Sequence, residues 1–183
     1  GLRNFAVFIG NNKKYVFCAN HSSYIDILAM YFIFDDYFKF LGKSSLEKIP
    51  LFGYMFKNLY ISVNRKDKDS RTIAFEECES SLNENISIAI YPEGAIPFDT
   101  PNLIYFKDGA FKLSINNNAS IVPITMPFNH KVLPIGSGFT SKHIKVIIHE
   151  PINTNEVPFT SIKELKEKTF DVINNELKNH NVI

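Results

Sequence analysis

A histidine and an aspartate five positions apart stand in the stretch Asn20-His21-Ser22-Ser23-Tyr24-Ile25-Asp26. Asp26 is the only charged residue in the run from Tyr24 to Phe34, which is otherwise almost wholly apolar. A carboxylate in such company is costly unless a partner satisfies it, and His21 is the nearest candidate. On one regular helix, positions five apart point roughly 140° apart around the axis, so a pairing needs a helix that begins between them. Ser22 and Ser23 are both good N-caps. With a start at Ser23, His21 lies in the preceding loop and Asp26 in the first turn, and the imidazole can fold back onto the carboxylate. That contact fixes one ring nitrogen and leaves the other as a base. The same residues also fit a capping box, Ser23-x-x-Asp26, with His21 as a polar loop residue.

The elements around this stretch decide where it sits. Lys14 to Ala19 reads as an apolar strand ending at His21, followed by an apolar helix from about Tyr24 to Phe34. Further strands are expected at Tyr37–Leu41, Leu59–Val63, Ile86–Tyr91 and Ile121–Ile124, with another alternating segment at His143–His149. Pro123 suggests an edge or a bulge for the strand that holds it. Helices are expected from Ser70 to Asn83, with a stripe of Ala74, Cys78 and Leu82, and up to Ile115 after Gly109. A last helix is capped by Ser161-x-x-Glu164 and shows Leu165, Val172, Ile173 and Leu177. Strands alternating with helices predict an α/β fold: one domain over residues 1–183, with a mixed, largely parallel sheet flanked by helices. Sites in such sheets lie at the carboxyl ends of strands. His21, Arg65 and Glu93 each follow a predicted strand closely, which brings three polar groups to one rim.

Composition narrows the function classes. The net charge of +1 gives no general pull toward nucleic acid. Between Lys39 and Arg71, however, eight Lys and Arg stand against three Asp and Glu. Such a local excess suits phosphate or a solvated basic face. The two cysteines, Cys18 and Cys78, make no disulfide framework and read as small apolar fillers in a reducing compartment. No metal is expected, since neither His-x-x-x-His nor Cys-x-x-Cys spacing occurs. No run is long and apolar enough to be a membrane span. The chain opens on Gly1, so an N-terminal segment is expected to be missing. The Asn-x-Ser sequons at Asn20, Asn85 and Asn118 are expected to be chance occurrences.

Four blocks together carry a resemblance. They are His21-Ser-Ser-Tyr-Ile-Asp26; then Gly42-Lys43-Ser-Ser-Leu46 with Ile49-Pro50-Leu-Phe-Gly53 and Asn64-Arg65; then Tyr91-Pro92-Glu93-Gly94; then Ile121-Val122-Pro123-Ile124. In this order, over roughly residues 15 to 127, they resemble the glycerolipid acyltransferase family, most closely the 1-acyl-sn-glycerol-3-phosphate acyltransferases. The resemblance implies a glycerol-3-phosphate acyltransferase-like fold and transfer of a fatty acyl group to a lysophospholipid hydroxyl. The thioester donor, acyl-CoA or acyl carrier protein, would be a substrate, with no further cofactor. It also implies work at a membrane surface, on its cytoplasmic face. His21 would be the general base and Asp26 its orienting partner, as in hydrolase triads, and no protein nucleophile is needed. Lys43, Arg65, Glu93, Gly94 and Lys107 would bind substrate, with Glu93 linked to the acceptor or else paired with Arg65 or Lys107.

The chain departs from the family at one place. Ala95 and Ile96 stand where members carry Thr and Arg, and the family's arginine there is credited with gripping the acceptor's phosphate. That task is expected to pass to Arg65 first, with Lys43 and Lys107 as the other options, because arginine offers a bidentate fork. Otherwise the acceptor is a different lipid. Rival readings are a catalytically idle lipid-binding domain of the same fold and a hydrolase that activates water. Backbone N–H groups near Gly53 or Gly94 are candidate oxyanion donors. The aromatic residues Tyr31, Phe32, Phe34, Tyr37, Phe38 and Phe40, and the set from Leu51 to Phe56, offer an acyl groove or, for most, core packing. Ile49 to Phe56, flanked by Lys48 and Lys57, is the expected interfacial segment.

Overall fold

The computed structural model describes residues 14–48, 53, 59–154 and 161–183. Its centre is a six-stranded sheet, β1 (Tyr15–Ala19), β2 (Phe38–Lys43), β3 (Tyr60–Val63), β4 (Ser87–Ile90), β5 (Ser120–Thr125) and β6 (Ile147–Ile148). The spatial order is β3-β2-β4-β1-β5-β6, with every pairing parallel except β5 with β6. The helices described over their full length are α1 (Ile25–Ile33), α2 (Lys68–Asn83), α3 (Gly109–Asn116), α4 (Asn129–Val132) and α5 (Ile162–Asn179), with a 3₁₀ turn at Ser44–Lys48. The α/β architecture and the mixed, largely parallel sheet follow the sequence expectation.

β1 and β4 are apolar on both faces because both faces are covered. Alternate residues of β1 enter two cores. Val16 and Cys18 pack with Ala74, Cys78 and Leu82 of α2, with Phe111 of α3, and with Leu165, Ile173 and Leu177 of α5. Tyr15, Phe17 and Ala19 face the other way, against Ile27, Ala29 and Met30 of α1 and against Phe34, Phe38 and Phe40. Those three phenylalanines are therefore core residues, whereas Phe32 and Tyr37 are exposed. Both cysteines are free and buried.

Several boundaries differ for local reasons. α2 starts one turn early because Asp67 caps it, accepting from the Asp69 N–H at 3.1 Å. Ser70 instead accepts from the Asn64 N–H. Ser161 caps α5 as expected, accepting from the Glu164 N–H at 3.2 Å. The fourth core position of that helix is Thr169, whose hydroxyl donates to the Leu165 carbonyl; Val172 is only half-buried. The segment His143–His149 yields a two-residue strand, not a full one. β5 is not an edge strand: it lies between β1 and β6. Pro123 is tolerated because its carbonyl faces His149, accepting from that N–H at 3.0 Å. Its nitrogen shares that side, so the β1 ladder loses no donor. The sequon asparagines have backbone uses: Asn85 and Asn118 hold positive φ of 61° and 50°, which asparagine accepts more readily than most residues.

Candidate active site

Strand register brings the site together. Cys18 of β1 lies opposite Ile90 of parallel β4. Three residues beyond each, at the same carboxyl rim, come His21 and Glu93. Asn20 anchors the departing chain: its side chain donates to the Met126 carbonyl and accepts from the Met126 N–H at 2.7 Å. Glu93 holds the next residue, accepting from the His21 N–H at 2.8 Å on one oxygen and from the Ile104 N–H at 3.2 Å on the other. Glu93 is buried, and burial pushes its carboxyl up to about 7. Its partners are thus backbone groups of two loops, where pairing with Arg65 or Lys107 was the alternative to acceptor binding.

The chain then turns into α1 and returns Asp26 to His21. His21 Nδ1 lies 2.9 Å from Asp26 Oδ2. The same oxygen accepts from the Ser22 and Ser23 N–H groups at 2.7 and 2.8 Å, and Oδ1 accepts from Asn129 Nδ2 at 2.8 Å. Asp26 is fully buried, and donors approach it from three sides, as an ionised carboxylate accepts. Nδ1 is then the ring nitrogen that donates to the carboxylate, and Nε2 is the one left to act as a base. None of the described residues hydrogen-bonds Nε2. The helix begins later than the expected Ser23: Tyr24 is its N-cap, without a side-chain bond. Ser23 Oγ donates to the Leu133 carbonyl at 2.7 Å. The loop placement of His21 and the first-turn placement of Asp26 are as expected, and so is half of the capping box: Asp26 Oδ2 accepts from the Ser23 N–H, while Ser23 Oγ accepts from the Ile25 N–H at 3.4 Å and not from the Asp26 N–H.

The imidazole stacks on Tyr91, with ring centres 4.1 Å apart and planes at 15°. Tyr91 stacks in turn on Phe40, and Phe40 on Tyr60. The Tyr91 hydroxyl is buried with no described partner, and burial drives its ionisation well above the ordinary range. Tyr91 also lines a cavity of about 330 Å³ at the same rim. Arg65, Arg71 and Lys107 line it with Gly94, and its other walls include Leu41, Val63, Phe75 and Ile90; among the described residues no carboxylate lines it. Arg65 follows β3, two strands from β4, and burial draws its guanidinium down from the ordinary value, though arginine stays charged at any working pH. Arg71, in the first turn of α2, donates to the Arg65 carbonyl at 2.8 Å.

Gly94 has φ +79°, which favours glycine. A Cβ there would lie 2.6 Å from Lys107 Nζ, so the missing side chain lets the lysine lie against the turn. The Gly94 N–H donates to the Tyr91 carbonyl at 2.9 Å, so it is not free to serve as an oxyanion donor. Lys43 ends β2 exposed and does not line this cavity. Gly53 sits close against the Glu47 carbonyl. The expected interfacial segment Ile49–Phe56, apart from Gly53, lies outside the described residues, as does the apolar set Leu51, Phe52, Tyr54, Met55 and Phe56. Among the described residues, no helix is long and apolar enough to cross a membrane.

Sequence reasoning missed Asn129, Tyr91, Asn20 and Arg71. Arg71 lies within the basic stretch from Lys39 to Arg71. Tyr91 belongs to the block Tyr91-Pro92-Glu93-Gly94, where it reads only as the end of a strand. Asn129 gave no local signal, because it reaches Asp26 across 103 positions.

Comparison with known proteins gives the family and the fold. The family model described as Acyltransferase matches residues 3–127. A 1-acyl-sn-glycerol-3-phosphate acyltransferase of Chlamydomonas reinhardtii is 29% identical over 148 residues, covering 79% of this chain and 44% of that protein. A chloroplastic one of Arabidopsis thaliana is 31% identical over 156 residues, covering 84% and 42%. The crystal structure of the 1-acyl-sn-glycerophosphate acyltransferase PlsC of Thermotoga maritima shares the fold, with a TM-score of 0.80 at 21% identity over 96% of this chain and 69% of that one. The chain thus spans less than half the length of these two sequence relatives. A histidine held against a buried aspartate at the mouth of the sheet, together with a family match over more than half its length, makes this chain a member of the acyltransferase family.

Proposed function

We propose that the chain transfers a fatty acyl group from a thioester to the hydroxyl of a lysophospholipid, with 1-acyl-glycerol-3-phosphate as acceptor and phosphatidic acid as product. The His21–Asp26 contact at 2.9 Å, with Asp26 locked by three further donors, is the observation that carries the reading. A hydroxyl is a poor nucleophile and needs a positioned base. Nε2 of His21 takes the hydroxyl proton as the oxygen attacks the thioester carbonyl. Asp26 holds the ring and stabilises the imidazolium. Collapse of the tetrahedral intermediate breaks the C–S bond, and the departing thiolate recovers the proton from His21. Acyl-CoA or acyl carrier protein supplies the thioester.

Arg65, Arg71 and Lys107 give the acceptor's phosphate a cationic cavity beside Tyr91, with apolar walls for its chain. The relatives named as 1-acyl-sn-glycerol-3-phosphate acyltransferases support that acceptor. The reaction would take place at a membrane surface, on its cytoplasmic face, where both lipids reside. Ala95 and Ile96 favour a second reading, the same chemistry on a different lipid headgroup. An acceptor panel tests both. Thiol release from acyl-CoA and from acyl carrier protein is followed with 1-acyl-glycerol-3-phosphate, other lysophospholipids and monoacylglycerol, and the lipid product is identified. Release that requires 1-acyl-glycerol-3-phosphate and matches phosphatidic acid mole for mole is expected. Preference for another acceptor selects the second reading, and release without lipid product points to hydrolysis.

A further inference from the structure

Two apolar surfaces outside the site lie exposed on the α1 side of the sheet. On α1 and its cap, Tyr24, Leu28 and Phe32 are 60%, 39% and 79% exposed. Four-residue steps place them in one stripe along the helix. After α4, the loop 133–146 exposes Ile135, Phe139 and Ile144. The two surfaces adjoin. The Leu133 carbonyl accepts from Ser23 Oγ, next to Tyr24, and Val146 and Ile148 pack into the α1-side core. The Thr140 N–H folds the loop back by donating to the Val132 carbonyl.

Charge on this loop has one sign. From Gly109 to His149 the sequence has no Asp or Glu. Lys131, Lys142 and Lys145 are exposed around the loop's apolar residues, with His143 beside them. Exposed Asp35 and Asp36 lie beyond the end of α1 and mark the limit of the stripe. Apolar side chains interleaved with lysines and free of carboxylates match the interface of a bilayer with anionic headgroups: the apolar groups enter the acyl boundary and the lysines meet phosphates.

We infer that the loop 133–146 and the exposed stripe of α1 form a docking surface for an anionic phospholipid bilayer. The inference takes its functional sense from the acyl-transfer reading. The stripe begins two residues before Asp26, so docking sets the His21 rim beside the membrane from which a lysolipid would be drawn.

The chain has no tryptophan, so Phe139→Trp gives a single reporter in the loop, and Ile73→Trp gives one on α2, against the opposite face of the sheet. With vesicles of phosphatidylcholine mixed with phosphatidylglycerol, the loop reporter is expected to shift blue and to be quenched by lipids brominated in their chains, while the α2 reporter does neither. Lys142→Glu with Lys145→Glu, in the Phe139→Trp background, should weaken vesicle binding by roughly tenfold or more. A loop reporter unmoved by anionic vesicles, or moved equally by neutral ones, overturns the inference. So does a shift that follows protein concentration without vesicles, which would mean a second copy covers the surface. Assays on a soluble short-chain lysolipid separate the two readings: transfer without vesicle binding rejects the docking surface, and vesicle binding without transfer rejects the acyl-transfer reading.

Discussion

Glu93 shows how one buried side chain serves two loops. Its oxygens hold the N–H groups of His21 and Ile104, and burial raises its carboxyl to about 7. The folded chain therefore binds this proton more tightly than the unfolded chain does. The stability it contributes is fully present below the usual carboxylate range and is lost as pH rises through about 7. The loss is on the order of 3–4 kcal/mol, from about 1.4 kcal/mol per pKa unit. In Glu93→Gln that slope should vanish, and denaturant unfolding of both proteins at acidic and mildly alkaline pH checks it. A wild-type slope equal to the variant's would mean the carboxyl is not so shifted. His21 and Asp26 were legible because each was conspicuous locally, a base before an apolar run and an acid inside it. Asn129 was not legible, since an asparagine becomes a partner for Asp26 only after β5 has folded beside β1.

Strand register is the device that turns scattered residues into a site. Parallel pairing of Cys18 with Ile90 fixes His21 and Glu93 at one level, and the turn after β4 then brings Gly94 under Lys107. Gly94→Ala places a side chain at φ +79°, with its Cβ 2.6 Å from Lys107 Nζ. The backbone strain should cost about 1–2 kcal/mol. Displacing the lysine should raise the acceptor KM with less effect on kcat, measured by steady-state kinetics on protein whose fold is confirmed by circular dichroism. An unchanged acceptor KM would show that Lys107 does not serve the acceptor. Apolar runs and turn residues made most strands and helices readable. What was misread turned on a choice between neighbouring caps in one case and on a distant strand in the other. The start of α2 was settled by Asp67 over Ser70, and β5 keeps Pro123 because its bonding side meets the short strand β6.

Across the whole molecule, the sheet separates two tasks. The α1 side presents the apolar, cationic surface, while α2 and α3 wall the cavity that holds Arg65, Arg71 and Lys107. Arg65→Ala and Arg71→Ala should each raise the KM for a phosphate-bearing acceptor more than the KM for the acyl donor, by roughly tenfold if a charge-assisted hydrogen bond is lost. Equal effects on both substrates would discard the phosphate role. The alternation of strands and helices announced the architecture, and the rim position of His21, Arg65 and Glu93 followed from it. The cavity did not, because its third cation comes from a helix whose inner face had to be placed first. The proposed acyl transfer needs His21 as the base that deprotonates the acceptor, and the most direct measurement is the rate of phosphatidic acid formation by His21→Ala. A fall of roughly 10²-fold or more, with the fold intact and both substrates still bound, is the predicted result. A variant that keeps wild-type turnover would contradict it.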